Sequence, residues 1–267
     1  MPEAVKKNQI GTVNGLGKLF YSLGGTILFL VGVYLFYINK ELPFILILCC
    51  VMIPVLIACI FVREDNAHVK QKSKLSFDFI KNKKAMRVFM TAFFFYIAYG
   101  LITPFWIPYY VTANHFTSSE ISLALTSFTV IGLILSLFVG IWCDKWNKQY
   151  IFFIACIIYI AGFIIGWNVS NLYTLWIFAI LFGIGFVIMQ VVFYALIPEV
   201  APKEKIGEYM GINNIFLCVP QIIGSILGGY LLQVGYGELL FPISIAALII
   251  ACVIIGYGKL EENKKLA

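Results

Sequence analysis

Long apolar runs, separated by short polar segments, organise the whole chain. Eight of them are long enough to cross about 30 Å of hydrocarbon, which takes roughly 20 helical residues. Because lipid offers backbone groups no hydrogen-bonding partner, each run is predicted to be a transmembrane helix. The sequence therefore predicts an all-α membrane protein. The predicted spans are 12–38, 43–62, 88–111, 119–142, 150–168, 172–197, 208–234 and 236–257.

The positive charges lie almost entirely on one side of these spans. Of 19 Lys and Arg residues, only Lys40 falls in a loop that follows an odd-numbered span. By the positive-inside rule the side that carries the remaining positive charges is cytoplasmic. Both termini are therefore expected inside, in a multi-pass protein of the cell membrane. This pattern explains the net charge of +6 without nucleic-acid binding. Lys18, one turn inside the first span, is expected to snorkel to the inner surface.

A basic polar segment at residues 63–87 separates a pair of spans from a block of six. It is predicted to be a cytoplasmic linker, and its SFDFIKNKKAM stretch favours a short amphipathic helix on anionic lipid. The predicted domains are thus 1–62, with two helices, 88–258, with six helices, and a cytoplasmic tail at 259–267.

The opening of the chain recurs near its end. Residues 2–35 and 198–231 match at a constant offset of 196, with 11 of 34 positions identical, including a Pro-Glu pair. Such repeats are typical of transporters built from two equivalent halves. A full set of helices precedes the second copy but not the first. The chain is therefore expected to be truncated at its N-terminus.

The loop after the fourth span, GIWCDKWNKQ at residues 140–149, resembles the G-x-x-x-D-R-x-G-R-K loop of the major facilitator superfamily. It lies between the second and third helices of the six-helix block, where that family has it. A carboxylate at one helix end can face the positive N-terminus of another helix. We therefore expect Asp144 to face the start of the 208–234 helix and Lys148 to pair with Glu199. The predicted gating residues here are Gly140, Asp144, Lys145, Lys148 and Glu199.

A second run, G-x-x-N-x-x-x-x-x-P-Q from Gly211 to Gln221, resembles the same helix in sucrose transporters and in glycoside-pentoside-hexuronide cation symporters. It adds Asn214 and Pro220 to the gating candidates. The resemblance implies a partial major facilitator fold, helices five to twelve of twelve. It also implies a sugar carrier that works by alternating access, with H+ or Na+ as the coupling ion.

Polar and aromatic side chains recur at a spacing of three and four along one face of the 88–111 helix. A cavity for a polyhydroxylated ring would use both stacking and hydroxyl groups; the alternative is an interfacial aromatic belt. Similar groups lie in 172–197 and 208–234, where interhelical hydrogen bonding is the alternative. The predicted substrate-binding residues are Tyr96, Tyr99, Thr103, Gln190, Tyr194 and Gln221.

Other functions find less support in the sequence. His68 and His115 are predicted to fall on opposite sides of the membrane, and the seven cysteines form no metal-binding pattern. We therefore expect that the protein is not an enzyme and that it binds no metal and no cofactor. No Asp or Glu lies deep in a span. A coupling carboxylate would then belong to other helices, or transport would be uncoupled. The alternatives are a non-transporting subunit that assembles with a separate N-terminal piece, and a lipid or drug carrier on the same fold.

Overall fold

The computed structural model describes residues 12–61, with gaps between 14 and 37, and residues 77–256. The described chain forms two compact units, one comprising residues up to Leu19 and from Phe77 onward, the other Phe20–Ser76. Most of the predicted linker and the tail at 259–267 lie outside the described residues.

The described elements are helical. In the smaller unit, α1 spans Leu42–Phe61. The larger unit contains α2 (Lys83–Ile102), α3 (Trp106–Asn114), α4 (Ser118–Lys145), α5 (Lys148–Trp167), α6 (Leu172–Val200), α7 (Ile206–Gln233) and α8 (Leu240–Gly256). Six stretches of this part of the chain are long and apolar enough to cross a membrane, the first comprising α2 and α3 together. They match the predicted six-helix block. The total of eight spans stays a prediction.

Side-chain caps explain where several helices begin. Asn82 accepts a hydrogen bond from the Ala85 amide, so α2 begins at Lys83, five residues before the predicted span. Thr117 and Glu120 form a capping box at α4. The backbone and side-chain hydrogen bonds from Thr117 hold the pKa of Glu120 below its ordinary value.

The predicted 88–111 helix is broken at Pro104. A 3₁₀ turn at Thr103–Phe105 separates α2 from α3, because a proline supplies no backbone N–H and clashes with the preceding turn. Pro220, in contrast, lies inside an unbroken α7. Helix α6 also continues through Pro198 to Val200, so that Glu199 lies on its last turn rather than in a loop.

Two sets of helices pack around α2 and α6. Helix α2 packs against α7 and α8, and α6 packs against α4 and α5. The α2–α7 crossing is close, because a Cβ on Gly100 would lie 2.4 Å from the Gln221 carbonyl oxygen, and one on Gly224 would lie 2.5 Å from that of Ile97. Small residues thus let these two backbones touch, as is common where membrane helices cross.

Candidate functional site

The C-terminal end of α4 contacts Thr12 and Gly15 near the start of the described chain. Asp144 accepts hydrogen bonds from the Thr12 backbone N, at 2.7 Å, and from its Oγ1, at 2.5 Å. One turn deeper, a Cβ on Gly15 would lie 3.1 Å from the Gly140 Cα, so the two backbones are in contact there. Hydrogen bonds to an ionised carboxylate are stronger than those between neutral groups, so these two bonds favour this contact.

The predicted partner of Asp144, the start of the 208–234 helix, is wrong. The observed partner, Thr12, occupies the equivalent place in the first repeat, because residues 12 and 208 differ by the 196-residue offset. Asp144 therefore faces the corresponding helix of the other copy. Helix α7 packs against α2 instead, through the glycine crossing described above.

The predicted ion pair between Lys148 and Glu199 is present. The Lys148 Nζ lies 2.5 Å from the Glu199 Oε1 and links the start of α5 to the end of α6. The Lys148 side chain is 9% exposed and that of Glu199 is 31% exposed. Gln149, which stands where the family loop has a base, donates from Nε2 to the Ile255 carbonyl at 3.0 Å and so ties in α8. Lys145 is exposed at the C-terminal end of α4.

Deeper in the bundle, Tyr99 of α2 stacks on Phe186 of α6. Their ring centroids are 4.6 Å apart and the rings are nearly parallel, at 13°. Phe182 stacks on the same tyrosine at 6.1 Å and contacts the Trp106 ring at 4.8 Å. We call Tyr99, Phe182 and Phe186 the aromatic stack; Tyr99 is only half-buried.

Polar groups border the aromatic stack towards the C-terminal end of α6. Tyr96 is buried, and the Gln190 side chain lies near its hydroxyl. The Tyr194 hydroxyl donates to Asn214 Oδ1 at 3.2 Å, which joins α6 to α7. These predicted residues therefore come together, with Asn214 as a partner of Tyr194.

Two other predicted binding residues are placed differently. Thr103 donates its hydroxyl to the Tyr99 carbonyl at 2.8 Å, so its proton stabilises the end of α2. Gln221 is half-buried at the α2–α7 crossing, and its backbone contacts Gly100.

The sequence analysis missed Phe182 and Phe186. They continue the stripe of Gln190 and Tyr194 along α6 at a constant spacing of four residues. That spacing is the signal that would have found them.

Lys18, from the start of the described chain, places a positive charge beside the aromatic stack. The Lys18 Nζ lies 5.2 Å from the centroid of the Phe186 ring. The expected snorkelling of Lys18 to the inner surface is therefore wrong. The aromatic face offers the ammonium group a favourable site inside the bundle.

Comparison with known proteins fits this architecture. The sequence profile of the Major Facilitator Superfamily matches residues 88–266. The chain belongs to this superfamily. It is 31% identical over 182 residues to an uncharacterized MFS-type transporter of Methanocaldococcus jannaschii, covering 67% of this chain and 46% of that protein. It is 24% identical over 197 residues to the quinolone resistance protein NorA of Staphylococcus aureus, covering 68% of this chain and 50% of that protein.

The major facilitator assignment thus has support from the family match, from the relatives and from the helices. This chain is a multi-pass membrane protein of a transporter family. It spans about half the length of the curated relatives that it matches.

Proposed function

We propose that this chain forms part of a secondary transporter that moves a small amphipathic solute with a flat ring by alternating access. The observation that carries the proposal is the aromatic stack, with Tyr99 and Phe186 at 4.6 Å, bordered by Tyr96 and Gln190. Phe182 and Phe186 are buried behind the half-buried Tyr99. Aromatic pairs gain about 0.5–1.5 kcal/mol beyond the area they bury, so the Tyr99 ring is the surface that favours a flat solute ring.

The polar groups at this site favour an amphipathic ring over a sugar. A sugar brings several hydroxyl groups, and each buried hydroxyl without a hydrogen bond costs about 1–3 kcal/mol. Here the Tyr194 hydroxyl already donates to Asn214, and the Gln190 side chain lies near the Tyr96 hydroxyl. The similarity to a protein named for quinolone resistance supports the same choice. The range of solutes thus narrows to compounds that need only one or two hydrogen bonds.

A sugar is the second candidate, favoured by the resemblance of the run from Gly211 to Gln221 to sucrose transporters. Tyrosine and glutamine side chains hydrogen-bond sugar hydroxyls, and aromatic faces stack on sugar rings. We retain the sugar branch, and H+ or Na+ as coupling ion, as predictions of that resemblance.

We propose further that the eight predicted spans correspond to helices five to twelve of a twelve-helix transporter with both termini in the cytoplasm. The repeat at an offset of 196 supports this arrangement, as does the contact of Asp144 with Thr12, the counterpart of residue 208. The pathway then also needs helices one to four, in the same polypeptide or as a separate piece. Vesicles that contain only this chain are expected to show no solute uptake above protein-free vesicles.

Equilibrium binding distinguishes the two solute classes. The full chain is placed in lipid nanodiscs and titrated with 2-naphthamide, a neutral flat ring, and with sucrose. Saturable binding of 2-naphthamide that sucrose does not displace is expected. Saturable sucrose binding would favour the sugar carrier. Absence of binding by either compound would contradict a solute site in this chain and favour a non-transporting subunit.

A further inference from the structure

Helices α5 and α8 pack against each other in antiparallel register. At one end of their contact, the Gln149 side chain of α5 donates to the Ile255 carbonyl of α8 at 3.0 Å. At the other end, the ring centroids of Phe163 and Phe241 lie 6.3 Å apart. Residue numbers thus rise along α5 while they fall along α8, and the two contacts define the face that each helix turns to the other.

One cysteine from each helix lies on this shared face. Cys156 follows Gln149 by seven residues and precedes Phe163 by seven, so it lies on the same side of α5, about two turns from each. Cys252 precedes Ile255 by three residues, about one turn along the same side of α8. The two thiols accordingly lie near each other.

The two thiols differ in accessibility. Cys156 is buried, whereas Cys252 is half-exposed. Ile249 and Val253, which neighbour Cys252 along α8, are exposed apolar side chains of the kind that face lipid. A reagent dissolved in the hydrocarbon can therefore reach Cys252, with Cys156 beside it as the second sulfur. An accessible cysteine next to a second one is the usual arrangement of thiols that oxidise reversibly.

We propose that Cys156 and Cys252 are a modification site at which a lipid-soluble quinone makes a reversible disulfide that joins α5 to α8. Two S–H bonds break and one S–S bond forms, and the two electrons and two protons that are released reduce the quinone to a hydroquinone. A thiol reductant reverses the step by exchange. The new bond closes a loop of about 95 residues, and closing a long loop restricts the unfolded chain. Oxidation thereby stabilises the part of the chain that contains α2 to α8, independently of the proposed solute site.

Counting reactive thiols tests this pairing. The full chain in nanodiscs is treated with decylubiquinone, denatured in sodium dodecyl sulfate with excess N-ethylmaleimide, and weighed by intact mass spectrometry. The chain has seven cysteines, so we expect seven adducts before oxidation, five after it, and seven again after dithiothreitol. Cys252→Ser should carry six adducts in both states. Cys218→Ser, at an exposed cysteine of α7, is the matched control and should fall from six adducts to four.

The outcomes decide the pairing and its effect separately. Seven adducts after quinone treatment would overturn the proposal, and so would a loss of two adducts that persists in Cys252→Ser. Should Cys252→Ser not fold, peptide mapping of the oxidised unmodified chain decides: Cys156 and Cys252 must appear in one cross-linked peptide, and any other linked pair contradicts the inference. The disulfide should also raise the midpoint of unfolding in sodium dodecyl sulfate. An unchanged midpoint in the oxidised chain would refute the stabilising role.

Discussion

In the Lys148–Glu199 pair, neutralising Glu199 is expected to lower the free energy of unfolding more than neutralising Lys148. Surface ion pairs contribute about 0–1 kcal/mol, whereas removing one partner of a buried pair costs about 3–5 kcal/mol. This pair lies between those limits, since Lys148 is 9% exposed and Glu199 is 31% exposed. Glu199→Gln leaves a largely desolvated ammonium, so we expect a loss of about 2–3 kcal/mol. Lys148→Met leaves a partly solvated carboxylate, so we expect about 1 kcal/mol.

The assay is a double-mutant cycle on the free energy of unfolding, measured by tryptophan fluorescence during titration with sodium dodecyl sulfate in mixed micelles. The double variant should show a coupling energy of about 1–2 kcal/mol. Lys145→Met, at an exposed neighbouring lysine, is the control and should change stability by less than about 0.5 kcal/mol. Additive effects, or a smaller loss for Glu199→Gln than for Lys148→Met, would refute the argument from unequal burial.

Two further predictions use the same titration. Gly100→Ala should lower stability by about 1–3 kcal/mol, because its Cβ would lie 2.4 Å from the Gln221 carbonyl oxygen. Gly211→Ala, with nothing within 4 Å, should instead raise it by up to about 1 kcal/mol; a loss at both sites would contradict the crossing. Asp144→Asn should cost about 1 kcal/mol, and less once Thr12→Val has removed the hydroxyl donor. Equal costs in both backgrounds would exclude that hydrogen bond as the cause.

The six-helix block was predictable because the length of apolar helix that a bilayer requires is a strong constraint on sequence. Helix ends were less predictable. Asn82 caps α2 before two lysines that a search for apolar runs excludes. The Lys148–Glu199 pair was predictable, because opposite charges lay at helix ends on one side of the membrane.

The partner of Asp144 and the aromatic stack were harder to predict, for different reasons. Thr12 and residue 208 occupy equivalent places in the repeat, and the sequence does not say which copy Asp144 faces. Apolar residues lie on every face of helix α6, so Phe182 and Phe186 stand out from their neighbours only by their spacing from Gln190 and Tyr194. Their role depends on Tyr99, which another helix supplies.

The central claim is that the aromatic stack holds the ring of the solute. Its most direct test is equilibrium binding of 2-naphthamide to the full chain in nanodiscs, compared between Tyr99→Ala and Tyr173→Ala. Tyr173 lies on α6 but is 83% exposed, so it controls for the general loss of a tyrosine. Tyr99→Ala is expected to weaken binding by about tenfold, from the loss of roughly 1.5 kcal/mol of aromatic contact, and Tyr173→Ala to leave it unchanged. Equal affinities in the two variants would contradict the account.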